Sequence, residues 1–234
     1  MTSAIEVLAK QAMKTFGDRR NVGYKLCQKN FDKLWNLINK ITAEDVKLDK
    51  NVLDYVSRQP TPMCVMDILE NKDITIAIFI LKHGVTMPMH DHPGMHGLLK
   101  VISGMVELNS YSLKTRSDHI AKANEEIVAF RHRPVFLDHD SPACILTPSE
   151  KNLHQISCLE GPAAFLDILS PPYDVDEFGR GPRPCTFFKI VKSKLCTESG
   201  DVIEEVQLSV MENLPDFSSS SLEYIGPPLK DYSG

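Results

Sequence analysis

Two histidines separated by one residue, His90 and His92, stand in the stretch GVTMPMHDHPGMHGLLKVISG from Gly84 to Gly104. On a β-strand alternate side chains leave the same face, with Cα atoms roughly 6.5 Å apart. Two imidazoles so placed can converge on one ion through bonds of about 2 Å. Asp91 lies between them, so the same geometry turns it to the other face and argues against it as a ligand. An H-x-H pair is also compatible with ordinary packing, and a metal reading needs a third donor. The remaining histidines are His83, His96, His119, His132, His139 and His154. His119, His132 and His139 sit among charged or turn residues and read as solvent-facing. His154, in LHQISCL, shares a face with Ile156 and Cys158. That is the setting of an inward-facing histidine on a buried strand, which suits either a packed core residue or a ligand.

Strands must carry these residues, and the texture of the chain supplies them. From about Met63 onward, short β-branched and aromatic runs alternate with Gly, Pro, Asn, Asp and Ser: MDILE, ITIAIFIL, HGLLKVISG, MVELNSYSL, EIVAF, PVFLD, ACILTP, LHQISCL, AAFLDIL, CTFFKIVKS and VIEEVQLSV. Many short strands with frequent turn signals predict an antiparallel sandwich or barrel, a mainly β fold without βαβ alternation. Ser110 to Asn124 is polar and reads as a loop. In front of the strands, Ile5, Leu8, Ala9, Ala12, Met13 and Phe16 recur at helical spacing, as do Phe31, Leu34, Trp35, Ile38 and Ile41. Thr42 and Asp45 have the spacing of a capping box for a short turn. The expected organisation is a helical segment over residues 1–50, a β domain over 51–214 and an extended tail over 215–234, rich in Ser, Pro and Gly.

Composition narrows the function classes. The 234 residues are 42% hydrophobic, enough for a sizeable core, and a net charge of -5 without any basic stripe argues against nucleic-acid binding. No apolar window reaches membrane-spanning length; the longest, Ile74 to Leu81, is strand-sized. The first stretch, through Arg19 and Arg20, is weakly basic, but Glu6 and Asp18 interrupt it, so a mitochondrial address is a minor reading. Six scattered cysteines without a C-x-x-C pair suit a reduced protein, and a cytoplasmic monomer is expected.

The spacing of Gly84, His90-Asp91-His92 and Gly104 resembles the first cupin motif, and His154 fits the histidine of the second. More narrowly, HDHPGMHGLLKV, ILTPSEKNLHQI and GPAAFLDILSPPYD resemble the 2-aminoethanethiol (cysteamine) dioxygenase family, which includes the plant cysteine oxidases. The likeness runs from about Met66 to Val191, with an echo in the N-terminal AKQAMKTF. It implies a cupin double-stranded β-helix, a jelly-roll barrel with the N-terminal α-helices packed on it. It also implies one Fe(II) held by His90, His92 and His154. The carboxylate many cupins carry four or five residues after H-x-H is replaced by His96 or Gly97, in keeping with a three-histidine centre.

The reaction implied is addition of both atoms of dioxygen to the sulfur of cysteamine, of N-terminal cysteine in peptides, or both. Metal binding deprotonates a coordinated thiol, and the protein's part is a fixed, shielded site. By the same resemblance Asp167 lies near the substrate amine and Tyr173 lines the pocket. The role of His96 stays open between orienting the ligands and simple burial. Some animal relatives carry a Cys-x-Tyr pair proposed to cross-link near the iron; here it is Cys185-Thr186-Phe187, so no such thioether can form and Cys185 reads as a small core residue. Two other readings stand beside this one: a catalytically silent metal-binding cupin acting as a sensing or interaction module, and a three-histidine zinc site that makes hydroxide.

Overall fold

The computed structural model describes residues 2–17, 19, 23–114, 125–174, 183–198, 201–211 and 217–229. Asp18, Arg20, His119 and residues 115–124 of the expected loop lie outside them.

Helix α1 (Ala4–Phe16) starts where the Ser3 hydroxyl accepts the Glu6 N–H, and its apolar stripe of Ile5, Leu8, Ala9, Ala12 and Phe16 is buried. Helix α2 (Gln28–Ile38) buries Phe31, Leu34 and Ile38. Asp45 accepts from the Thr42 N–H at 2.9 Å and Thr42 accepts from the Asp45 N–H at 3.4 Å, the reciprocal cap expected of that pair, around a 3-10 turn at Glu44–Val46. The boundary placed at residue 50 falls on the start of a third helix, α3 (Lys50–Arg58), capped by Asp49.

Among the described residues eleven strands follow: β1 (Met63–Glu70), β2 (Thr75–Leu81), β3 (Thr86–Asp91), β4 (His96–Leu113), β5 (Glu126–Arg131), β6 (Val135–Leu137), β7 (Cys144–Leu146), β8 (Leu153–Ser170), β9 (Phe188–Glu198), β10 (Asp201–Val210) and β11 (Ser219–Leu222). Their hydrogen-bonded order is β11-β1-β2-β8-β4-β5-β10-β9, with β3 on β8 and with β6 and β7 on β4. All pairs are antiparallel except β1 with β11. The chain is thus mainly β with helices on one face, the fold class read from its texture.

Two pairs of runs fuse, against the expectation of separate short strands. HGLLKVISG and MVELNSYSL make one strand of 18 residues, and LHQISCL and AAFLDIL make another of 18. Gly104, at φ +73, and Gly161 sit inside these strands as bends rather than between them as turns. The pairing of β4 with β8 shifts register around Gly104, and this resets which residues face inward. In the first half of β8, His154, Ile156 and Cys158 sit opposite Ser110, Leu108 and Val106; in the second half, Phe165, Asp167 and Leu169 sit opposite Val101, Leu99 and Gly97. Ser110 to Leu113 end β4 and are not loop.

One inner cluster joins Leu81, Leu99, Val101, Leu108, Ile156 and Phe165. On the opposite face Ile76, Ile78, Ile80, Leu98, Leu166 and Ile168 pack against Leu8, Phe16, Phe31 and Leu34 of the helices. A sheet covered on both sides explains why ITIAIFIL lacks polar alternation. Trp35 Nε1 donates to Ala143 O at 3.0 Å and the Ala143 N–H donates to Asn39 Oδ1 at 2.7 Å, tying the helical layer to the loop before β7. The helices thus back the strands β2 and β8 that carry Phe79, Phe165, Asp167 and Leu169 into the cavity described next.

Candidate metal centre

His90 is the penultimate residue of β3, beside its cross-strand partner His154 on β8, and His92 follows immediately after the strand. The ring centroids lie 4.9 Å apart for His90 and His92, 4.6 Å for His90 and His154 and 4.5 Å for His92 and His154. One nitrogen from each ring lies within 4.8 Å of the others, the donor set of a single ion. All three side chains are buried, at 7%, 1% and 4% exposure.

Hydrogen bonds and burial set these rings for metal. His90 Nδ1 donates to Pro88 O at 2.9 Å and His92 Nδ1 donates to Asn152 O at 3.1 Å, which leaves each Nε2 lone pair free for an ion. Burial pushes His90 down to about 4, against the small opposing effect of Pro88 O. Burial and the neighbouring histidines hold His92 and His154 well below the usual histidine range. The rings are therefore neutral near pH 7, the state in which imidazole ligates. Asp91 is engaged elsewhere: its Oδ1 accepts the Thr186 N–H at 2.8 Å, and burial pushes its carboxyl up to about 7.

The histidines open onto a cavity of about 200 Å³ whose walls are almost wholly apolar. Met63, Phe79, Met87, Ile156, Phe165 and Leu169, with Phe187 and Phe217, are its aliphatic, thioether and phenyl lining. Phe79 and Phe165 stack with centroids 5.5 Å apart, a pairing that adds about 1 kcal/mol beyond area burial. Asp167 brings a carboxylate into this wall at 6% exposure, pushed up to about 7 by burial with the Ile168 backbone N–H offsetting part.

Tyr173 lines the cavity with its ring 5.8 Å from that of His92, and its hydroxyl donates to Asp91 O at 2.6 Å. Burial first, then the neighbouring Cys185 and Asp91, hold the phenol well above its usual value, so it keeps its proton. The structure therefore brings His90, His92, His154, Asp167 and Tyr173 to one cavity.

Other expectations change. Cys185 is no ordinary core residue: it lines the cavity, hydrogen-bonded to Tyr173, with its thiol pushed up to about 12 by burial and by Asp91. His96 turns away to pack between Phe16 and Phe31, with Arg19 Nη1 3.3 Å from its Nδ1 and Arg19 Nη2 donating to Gly94 O. His132 is half-buried and bonded to the Ser112 hydroxyl at 2.7 Å, whereas the His139 side chain is 68% exposed, as read. The reading missed Phe217, which the tail contributes to the cavity; no local pattern marks it. It also missed Phe79 and Phe165, which parity along β2 and β8 could have marked once the register shift was known.

The chain matches the family described as PCO_ADO over residues 37–229. It is 32% identical to the 2-aminoethanethiol dioxygenase of Mus musculus over 98% of this chain and 97% of that protein. Identity to plant cysteine oxidase 2 of Arabidopsis thaliana is 26%, over 97% of this chain and 83% of that one. Among solved structures, an uncharacterised Klebsiella pneumoniae protein with a double-stranded β-helix domain superposes with a TM-score of 0.35 at 19% identity, covering 51% of this chain and 86% of that one. A family match reaching across so much of the sequence, joined to near full-length similarity to its curated enzymes, makes this chain a member of the PCO_ADO family.

Proposed function

We propose that this protein is an iron(II)-dependent thiol dioxygenase whose substrate is a small aminothiol, either free cysteamine or the N-terminal cysteine of a peptide. The observation that carries the reading is the cluster of three buried, neutral histidines at the base of an apolar cavity that also holds the carboxylate of Asp167. The donor set fits a divalent transition metal, since imidazole suits iron, zinc, copper and nickel. Bound there, iron(II) would supply the open coordination positions and the redox chemistry that let a thiol and dioxygen combine.

The balance is one thiol and one dioxygen giving one sulfinic acid, with both oxygens on sulfur and no external reductant. His90, His92 and His154 hold the ion without adding negative charge. Asp167 faces the cavity as an ionisable carboxyl among apolar neighbours, and an ammonium two carbons from the sulfur supplies its counter-charge. That pairing fixes the amine end and turns the sulfur toward the histidines. Tyr173 braces the backbone of Asp91, the residue between two of the ligands. The apolar wall keeps bulk water from the reacting sulfur.

A cavity of about 200 Å³ admits cysteamine with space to spare, and on a peptide it admits the leading cysteine. Acting on N-terminal cysteine, the enzyme would convert oxygen level into the fate of its protein substrates. We place it in the cytoplasm as a monomer; all six cysteines are free thiols, and no helix among the described residues is long and apolar enough to cross a membrane. The test is to incubate iron-loaded protein with cysteamine and, separately, with a Cys-initiated peptide, and to weigh the products. A gain of two oxygen atoms on either supports the proposal, and their ratio gives preference. Absence of product from both, with iron bound, contradicts it.

A further inference from the structure

Behind the metal centre lies a second, smaller cavity of about 60 Å³ that also touches His154. Its inner wall is Leu99, Leu108, Cys144 and Ser110, and it runs toward the exposed Lys151 and Arg133. Ser110 and His154 are direct cross-strand partners on β4 and β8, so their Cβ atoms are roughly 5 Å apart. Both are buried, at 6% and 4% exposure. Among the described residues the Ser110 hydroxyl has no hydrogen-bond partner, although its backbone carbonyl accepts the His132 N–H at 2.9 Å.

The three histidines differ in one respect. His90 and His92 each give Nδ1–H to a backbone carbonyl, of Pro88 and Asn152. His154 has no such acceptor among the described residues, and it also lines the small cavity. A cavity of this size holds more than one water, and a buried water is stable where polar groups flank it.

We propose that Ser110 is the positioning residue of His154, acting through a water in this second cavity. The ring nitrogen of His154 turned away from the cluster donates its N–H to the water, and the water donates to Ser110 Oγ. This completes the set of outer hydrogen bonds: all three rings are locked in one tautomer, each with a lone pair toward the ion. Among the described residues no direct bond joins the two side chains, and a bridging water is nearly as strong as a direct contact. The inference rests on His154 being a metal ligand, as proposed above.

The test compares Ser110→Thr with Ser110→Val, which have the same shape and differ in the hydroxyl, alongside Ser110→Ala. Long-range proton–nitrogen spectra of the ¹⁵N-labelled, metal-free protein report the His154 tautomer, and cobalt(II) titration reports affinity. Wild type and S110T should show a single neutral tautomer; S110V and S110A should show a mixture and bind cobalt(II) about 10- to 100-fold more weakly. Equal impairment of S110T and S110V, or wild-type affinity in S110V, would overturn the proposal. If wild type itself takes up no cobalt, the three-histidine reading fails instead, and the tautomer spectra of metal-free protein still decide the role of Ser110.

Discussion

Asp167 sits in an apolar wall at 6% exposure, with the Ile168 N–H offsetting part of the effect of burial. Folding lifts its carboxyl from the usual 3.8 to about 7. Below pH 3.8 both folded and unfolded chains hold the proton and there is no cost. Between 3.8 and about 7 the folded chain keeps a proton that the unfolded chain releases, so stability falls as pH rises through this window. Above it the full cost applies, about 4 kcal/mol at about 1.4 kcal/mol per pH unit. Asp167→Asn removes the charge but leaves an amide that still wants partners, so about 2 kcal/mol should be recovered. For a chain of this size that raises the midpoint of thermal unfolding by about 4 to 8 °C.

The assay is thermal unfolding of metal-free wild type and D167N, at about pH 7.5 and again at about pH 4.5, where the gap should shrink. Asp91 acts with the same sign as Asp167 and the buried histidines with the opposite one, so the difference at each pH isolates residue 167. Function should move the other way. Losing a desolvated charge partner costs about 2 to 5 kcal/mol, so kcat/KM for cysteamine should fall at least about 30-fold, chiefly through KM. A variant no more stable than wild type at pH 7.5, or a gap independent of pH, would refute the stability argument. An unchanged KM would refute the placement of the amine.

Two further outcomes follow from packing. In Gly97→Ala the new Cβ would stand 2.8 Å from Leu146 Cγ and 2.9 Å from Leu169 Cδ2, so denaturant unfolding should show a loss of about 1 to 3 kcal/mol; a neutral substitution would mean that the β4 backbone yields. Lys100 is 3% exposed and donates to the carbonyls of Val101, His139 and Ser141 at 3.0, 2.6 and 2.9 Å. Lys100→Met should cost about 2 to 4 kcal/mol and lower the thermal midpoint by about 10 °C, and a midpoint within 2 °C of wild type would contradict that role.

Much of the centre was legible because its signal is local. His90 near the end of β3 and His92 just past it keep the two-residue spacing of a strand, and the face that excludes Asp91 follows from it. The cap made by Thr42 with Asp45 lies within a few residues of the turn it caps. What stayed hidden depends on distant pairing. The shift in register around Gly104 decides that Phe165 and Asp167 face inward along with His154, and a glycine in a strand looks like a turn until its partner strand is known. His96 stayed undecided because its neighbours Phe16, Phe31 and Arg19 come from the N-terminal segment. Cys185 was misread for the same reason: its neighbour Tyr173 sits in another motif, and only the folded chain brings the two together.

The central claim is that His90, His92 and His154 hold an iron that places both atoms of dioxygen on an aminothiol sulfur. Turnover of cysteamine under ¹⁸O₂, by iron-loaded wild type, His154→Ala and His139→Ala, tests it most directly. The account predicts sulfinate with two ¹⁸O atoms from wild type and H139A, and neither bound iron nor product from H154A. Product carrying oxygen from water, or an H154A variant that keeps its iron and its activity, would contradict it.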